Sequence, residues 1–264
     1  RTINSFLILC LFRLYSKFKI VGIKEFKKNN KKTEIIFVLA PGLSVKNLTK
    51  EDFDIISSHD NVGLSTFLLH DFICKNYLLE IQRPENIQLE YLKSNYKKFK
   101  KASLFIKGYN SPFKIRKLMY NINTFSKFKG CLNIQFFKEF NRNDFPNDFI
   151  KKNIKTDKFI NFGSTLISIL VFLRTCEYRK IVLIGFDFNH KYFFHDKSTS
   201  LINKGIHRSN SLSSDISRIN QTKKELKSIS KSKEHFKIFQ YKCDGLITEL
   251  LPHFDMSNIR QNDN

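Results

Sequence analysis

Glu34-Ile35-Ile36-Phe37-Val38-Leu39-Ala40, stopping at Pro41-Gly42, is the stretch that decides the fold. It is short, nearly continuous in apolar residues and rich in β-branched ones, which suits a strand covered on both faces, as in a parallel sheet. Thr49 followed by Glu51 and Asp52 marks a helix start with acids in its first turn. Working outward, further strand-like runs lie at Asn61–Ser65, Tyr77–Gln82, Ser103–Tyr109, Cys131–Phe137, Ile181–Phe188 and Phe236–Tyr241. Helix-like segments fall between them, including Asn86–Lys100, Ser111–Ile122 and Ser164–Cys176. Such alternation predicts an α/β, Rossmann-like domain: a mostly parallel sheet with helices on both faces through right-handed crossovers.

A chain of 264 residues holds one large core or a core with a small lid, and 41% hydrophobic residues spread along it exclude wholesale disorder. The net charge of +22 favours phosphate-bearing partners, whether nucleic acid, anionic lipid or an anionic nucleotide. The excess is mainly Lys, with abundant Asn, Ile and Phe and no Trp, so compositional drift in an AT-rich genome is an equal account of it. Cys10, Cys74, Cys131, Cys176 and Cys243 form no C-x-x-C pair, which argues against structural zinc or a disulfide framework and for a reducing, cytoplasmic compartment. Phe6–Phe12 is apolar, but Arg13, Lys17 and Lys19 follow too soon for a membrane span. Ser5–Lys19 reads either as a basic amphipathic helix lying on an anionic inner-membrane face or as a first helix packed on the domain. The expected organisation is an N-terminal basic segment over residues 1–33 and a Rossmann-like domain over 34–264.

Asp196–Ser214 breaks the rhythm, being long, rich in Ser, Asn and Lys and nearly free of bulky apolar side chains. It follows the strongest strand, where an open α/β sheet places its ligand crevice. It reads as part of a lid over about residues 189–214, with plain disorder as the competing account.

Three constellations can carry chemistry. Ala40-Pro41-Gly42-Leu43-Ser44 is a turn between strand and helix whose backbone N–H groups can approach a phosphate, although it matches neither G-x-G-x-x-G nor the P-loop, and a simple tight turn reads equally well. Asn161-Phe162-Gly163-Ser164-Thr165 leads into the apolar run Leu166–Leu173, with Ser164 or Thr165 as the expected helix cap. The following strand closes on Gly185 and Asp187 at its ligand-facing edge, or on a Gly chosen for packing and an Asp that caps a loop. Asn189-His190-Lys191-Tyr192-Phe193-Phe194-His195-Asp196, with His207 beyond, offers a Tyr hydroxyl and a Lys to stabilise a phosphate and His side chains to take a proton. No fixed ligand spacing among these His and Asp residues supports a metal.

Together, the strand, Gly/Pro/Ser turn, Ser/Thr-capped apolar helix, Gly-x-Asp-Phe strand end and aromatic lid resemble glycosyltransferase family 42, the bacterial lipooligosaccharide sialyltransferases. The related DUF115/motility-accessory-factor group shares much of the pattern. The resemblance covers roughly Glu34–Pro252 and is clearest over Gly163–Asp196. It implies a metal-independent, inverting transferase that needs no cofactor beyond its CMP-activated donor and acts on a glycan acceptor. It also implies that Ala40, Pro41, Gly42 and Ser44 hold the nucleotide, as does Ser65 or Thr66, and that Ser164 and Thr165 bind donor beside Asn161 and Gly163. Gly185, Asp187 and Asn189 border that donor site. Tyr192 stabilises the departing phosphate and His207 acts as base, with His195 a second catalytic candidate. Asn189, Phe162 and Pro41 stand where the family carries Tyr, Arg and Asn, which bears on the sugar carried more than on the nucleotide.

The rival class is a nucleic-acid-binding or membrane-docked, non-catalytic Rossmann-like protein exploiting the charge. No helix-turn-helix, zinc-finger or RNP pattern is visible, so no specific nucleic acid is expected. Association of the chain with itself stays open.

Overall fold

In the computed structural model of the chain, the residues described are 19–20, 23–79, 87–109, 132–139, 159–161, 164–188, 192–194, 212–230 and 236–260. They contain nine strands in one sheet: β1 (Lys19–Ile20), β2 (Ile35–Leu39), β3 (Asp60–Leu64), β4 (Asn76–Leu79), β5 (Ser103–Tyr109), β6 (Leu132–Glu139), β7 (Phe159–Asn161), β8 (Lys180–Ile184) and β9 (Lys237–Gln240). The order is β1-β6-β5-β4-β3-β2-β8-β9, with β7 also on β6, and each of these strand pairs is parallel. The helices are α1 (Ile23–Asn30), α2 (Lys50–Ser58), α3 (Ile87–Asn95), α4 (Thr165–Thr175), α5 (Leu212–Ser230), α6 (Ile247–Leu250) and α7 (Ser257–Arg260).

Alternation along β2 explains the two layers. Ile36 and Val38 join one core cluster, with Phe26 of α1, Leu170 and Leu173 of α4 and Leu226 of α5. Phe37 and Leu39 join the other, with Ile56 of α2 and Leu92 of α3. Successive side chains on a strand point to opposite faces, so a strand apolar throughout needs cover on both, and the helices supply it. From β2 the chain runs outward through β3, β4, β5 and β6, then returns to place β8 on the other side of β2. Leu39 pairs with Gly63 on one flank and with Ile184 on the other. This reversal is the topological switch point, where open α/β sheets form their crevice.

Several boundaries differ from the sequence expectation. The strand expected over Ile181–Phe188 ends at Ile184 because Gly185 turns the chain with φ +73°. The helix expected over Asn86–Lys100 gives way after Asn95 to a 3-10 turn over Tyr96–Phe99. A packing boundary is absent at residue 33: Phe26 is buried edge-on against Phe105 and Phe172, at 4.9 and 4.7 Å, so α1 belongs to the sheet domain. Residues 5–18, the helix expected over 111–122 and lid residues 195–211 lie outside the described residues; lid residues 212–214 open α5. The buried thiols of Cys74 and Cys176 have their pKa values raised by burial, and burial pushes Cys243 up to about 11, so all three stay protonated and inert at neutral pH.

Candidate functional site

The turn after β2 and the turn after β8 are held together by their backbones. Ala40 N–H donates to the Ile184 carbonyl at 2.8 Å, and Gly42 N–H donates to the Gly185 carbonyl at 2.9 Å. The approach is too close for side chains. A Cβ at Gly42 would collide with the Gly185 carbonyl oxygen and the Asp187 carboxylate, and one at Gly185 would collide with the Ala40 carbonyl oxygen.

Asp187 completes this junction and is 3% exposed. Its carboxylate accepts from Ser44 N–H at 2.9 Å, from the Ser44 hydroxyl at 2.5 Å and from Asp244 N–H at 3.1 Å. Three loops, after β2, β8 and β9, are tied to one side chain. The expectation that Ser44 touches a ligand is therefore corrected: its hydroxyl is buried, turned inward and engaged by Asp187, so it shapes the turn instead.

A cavity of about 340 Å³ opens at this junction. Of the expected site residues, Ala40, Pro41, Gly42, Ser65, Ser164, Thr165, Gly185, Asp187 and Tyr192 line it. The Pro41 turn and the tip of α4 thus face one another across a single space. Ser164 occupies the N-cap of α4 with extended backbone and, contrary to expectation, makes no side-chain cap bond. The positive end of the α4 dipole points at the cavity, which favours an anion there.

Tyr192 is fixed by its neighbours. Phe193 N–H donates to the Pro41 carbonyl at 3.1 Å, Gly42 and Tyr192 form an antiparallel bridge, and Phe193 and Phe194 are buried. The Tyr192 ring stacks on Phe194 at 5.3 Å and stays partly exposed at the cavity rim. Opposite, Ser65 has φ +50° and Phe188 φ +55°, left-handed backbone that costs a non-glycine residue roughly 1 kcal/mol or more each. Strain of this kind gathers where a strand end must present a side chain to a ligand.

Gln88 was not visible as a site residue in the sequence. It is buried on α3 and donates its amide N–H to the Ser65 hydroxyl oxygen at 3.0 Å, so the Ser65 proton points elsewhere. Leu64, Leu78, Leu79, Leu166 and Ile219 supply the apolar walls that sequence reading missed. Strand ends adjacent in the sheet gather them, which no local spacing reveals. Thr66 follows Ser65 without lining the cavity, and Asn161 ends β7. Gly163, Asn189, His195 and His207 lie outside the described residues.

Among the residues lining the cavity, Asp187 is the sole carboxylate, and its oxygens face Ser44 and Asp244 rather than an incoming ligand. Among the described residues no group of three or more His, Cys, Asp or Glu side chains gathers to hold a metal ion. The space suits one small anionic ligand with an apolar portion.

No protein-family model matches the chain, and no curated protein matches it. Among solved structures it is similar to the crystal structure of the sialyltransferase CST-II in complex with a trisaccharide acceptor and CMP, at 15% identity and a TM-score of 0.45, over 83% of this chain and 85% of that one.

Proposed function

We propose that the chain is a glycosyltransferase that moves a sialic-acid-like, nonulosonic acid sugar from a CMP-activated donor to a hydroxyl of a cell-surface glycan such as lipooligosaccharide, with inversion and without a metal. The observation that carries this reading is the meeting of the Ala40–Gly42 turn, the tip of α4 and Tyr192 around one cavity at the switch point of the sheet. The motif resemblance over residues 163–196 supports the choice of CMP and of the sugar class.

The chemistry asks little of the protein beyond charge placement and one base. As the acceptor oxygen attacks the anomeric carbon, the bond from that carbon to the CMP phosphate oxygen breaks and its electron pair leaves with CMP. The positive end of α4 and the Tyr192 hydroxyl stabilise the charge growing on that phosphate. The acceptor hydroxyl is a poor nucleophile until a base takes its proton, the role assigned to His207 on the resemblance alone.

The test has two arms. CMP is expected to raise the melting temperature where UDP and single-stranded DNA do not. His207→Ala is expected to lower transfer at least about 100-fold with CMP affinity nearly unchanged, a typical general-base contribution. No response to CMP would remove the donor; wild-type turnover in the variant would remove only the base.

A further inference from the structure

A fully parallel sheet brings whatever opens its strands to one edge of the molecule, here the edge opposite the cavity. Among the described residues that position is repeatedly cationic: Lys32 ahead of β2, Lys75 ahead of β4, Lys101 ahead of β5, Lys180 opening β8 and Lys237 opening β9, all exposed. Lys180 and Lys237 are direct register partners, two like charges side by side on neighbouring strands, an arrangement that costs stability. Beside them Lys27, Lys28, Lys31 and Lys32 line an open basin of about 510 Å³. The described carboxylates on this edge do not balance the row. Glu34 bonds Lys31 at 2.7 Å and Arg179 at 3.4 Å, Glu177 pairs with Lys27 at 2.5 Å, and Asp60 is buried, accepting from the Lys32 and Thr33 N–H groups.

We infer that this edge is a docking surface for an anionic phospholipid bilayer. The cations mark five of the six strand starts between β5 and β9, β3 alone opening on the buried Asp60, and they extend over about 24 Å at the usual strand spacing, a reach suited to an array of headgroups. They are mostly lysines, point charges on flexible stems that follow a fluid surface without demanding fixed geometry. A single-stranded nucleic acid fits less well, because its binding sites interleave cations with exposed aromatic platforms. Among the described residues at this edge Tyr178 and Phe99 are buried, and the half-buried Phe236 ring carries the Arg174 guanidinium over its face at 5.3 Å. The surface is separate from the cavity and stands whether or not the cavity takes a CMP-sugar.

The test is sedimentation of the whole chain with vesicles of phosphatidylcholine alone or mixed with phosphatidylglycerol. Binding is expected with the mixed vesicles only and falls as salt rises. Each lysine at such a surface changes partitioning roughly fivefold, so Lys32→Gln/Lys180→Gln is expected to weaken it about thirtyfold. Lys46→Gln/Lys50→Gln removes the same charge from the cavity end and should change it less than about threefold. Indifference to lipid charge, or equal losses in the two variants, would overturn the assignment. So would a position-dependent loss seen with single-stranded DNA but not with vesicles.

Discussion

Gly185 and Gly245 both take left-handed backbone, at φ +73° and +70°, yet their surroundings differ. A Cβ at Gly245 would meet only the Asp187 carbonyl oxygen, at 3.0 Å, whereas at Gly185 it would strike the Ala40 backbone and stand 2.7 Å from a Val45 methyl. Left-handed strain costs an alanine about 1–2 kcal/mol, and overpacking a fixed backbone adds a similar amount. Gly185→Ala is therefore expected to lower stability by about 3 kcal/mol and Gly245→Ala by about half that, read from urea unfolding. Equal unfolding midpoints would mean that the Ala40 turn yields at no cost. The residue types at this junction were legible in the sequence, since Pro41, Gly42, Gly185 and Asp187 are turn and strand-end chemistry. Their partners were not. Ser44 and Asp187 are 143 positions apart, and the Gln88 amide reaches Ser65 across 23, distances over which local pattern carries no information.

At the scale of elements, α2 shows how a legible signal acquires a second role. At the helix start that the acids marked, Thr49 and Asp52 form a capping box, with Thr49 N–H donating to Asp52 at 2.8 Å. Asp52 also accepts from the Tyr241 hydroxyl at 2.7 Å and from Lys242 Nζ at 2.6 Å, which ties the start of α2 to the end of β9. Burial alone would raise its pKa, but the Lys242 ammonium, Thr49 N–H and Tyr241 hydroxyl together hold it below the ordinary value. A carboxyl with a depressed folded-state pKa contributes stability that is present above its unfolded value, about 3.9, and lost as pH falls through the lower folded value. Asp52→Asn is expected to cost about 2 kcal/mol at pH 7, with the difference from wild type shrinking below about pH 4. Urea unfolding at several pH values checks this, and a pH-independent difference would assign the loss to packing. Helices and strands of the sheet were readable from periodicity because burial on two faces demands long apolar runs. The short β1 and β7 were not, since two and three residues carry too little pattern, and α1 lay within a stretch that read only as lysine-rich.

For the whole molecule, alternation in the sequence foretold a parallel sheet but not its strand order, because the pairing of β2 with β8 depends on contacts across most of the chain. The parallel direction of its strands separates two surfaces. It sets the switch-point cavity at the ends of the strands and the lysine row at their beginnings. A five-residue strand such as β2 spans about 16 Å, roughly twice the Debye length at physiological salt. Charge on a bilayer docked as inferred would accordingly be screened before it reached the tip of α4, which stands at the opposite ends of the strands. CMP affinity is expected to change less than about twofold when saturating anionic vesicles are added at physiological salt, by titration calorimetry. Loss of CMP binding on docking would place the cavity mouth against the bilayer and reverse the orientation inferred from the lysine row. Enhanced binding confined to low salt would instead show that the screening distance, not the orientation, was misjudged.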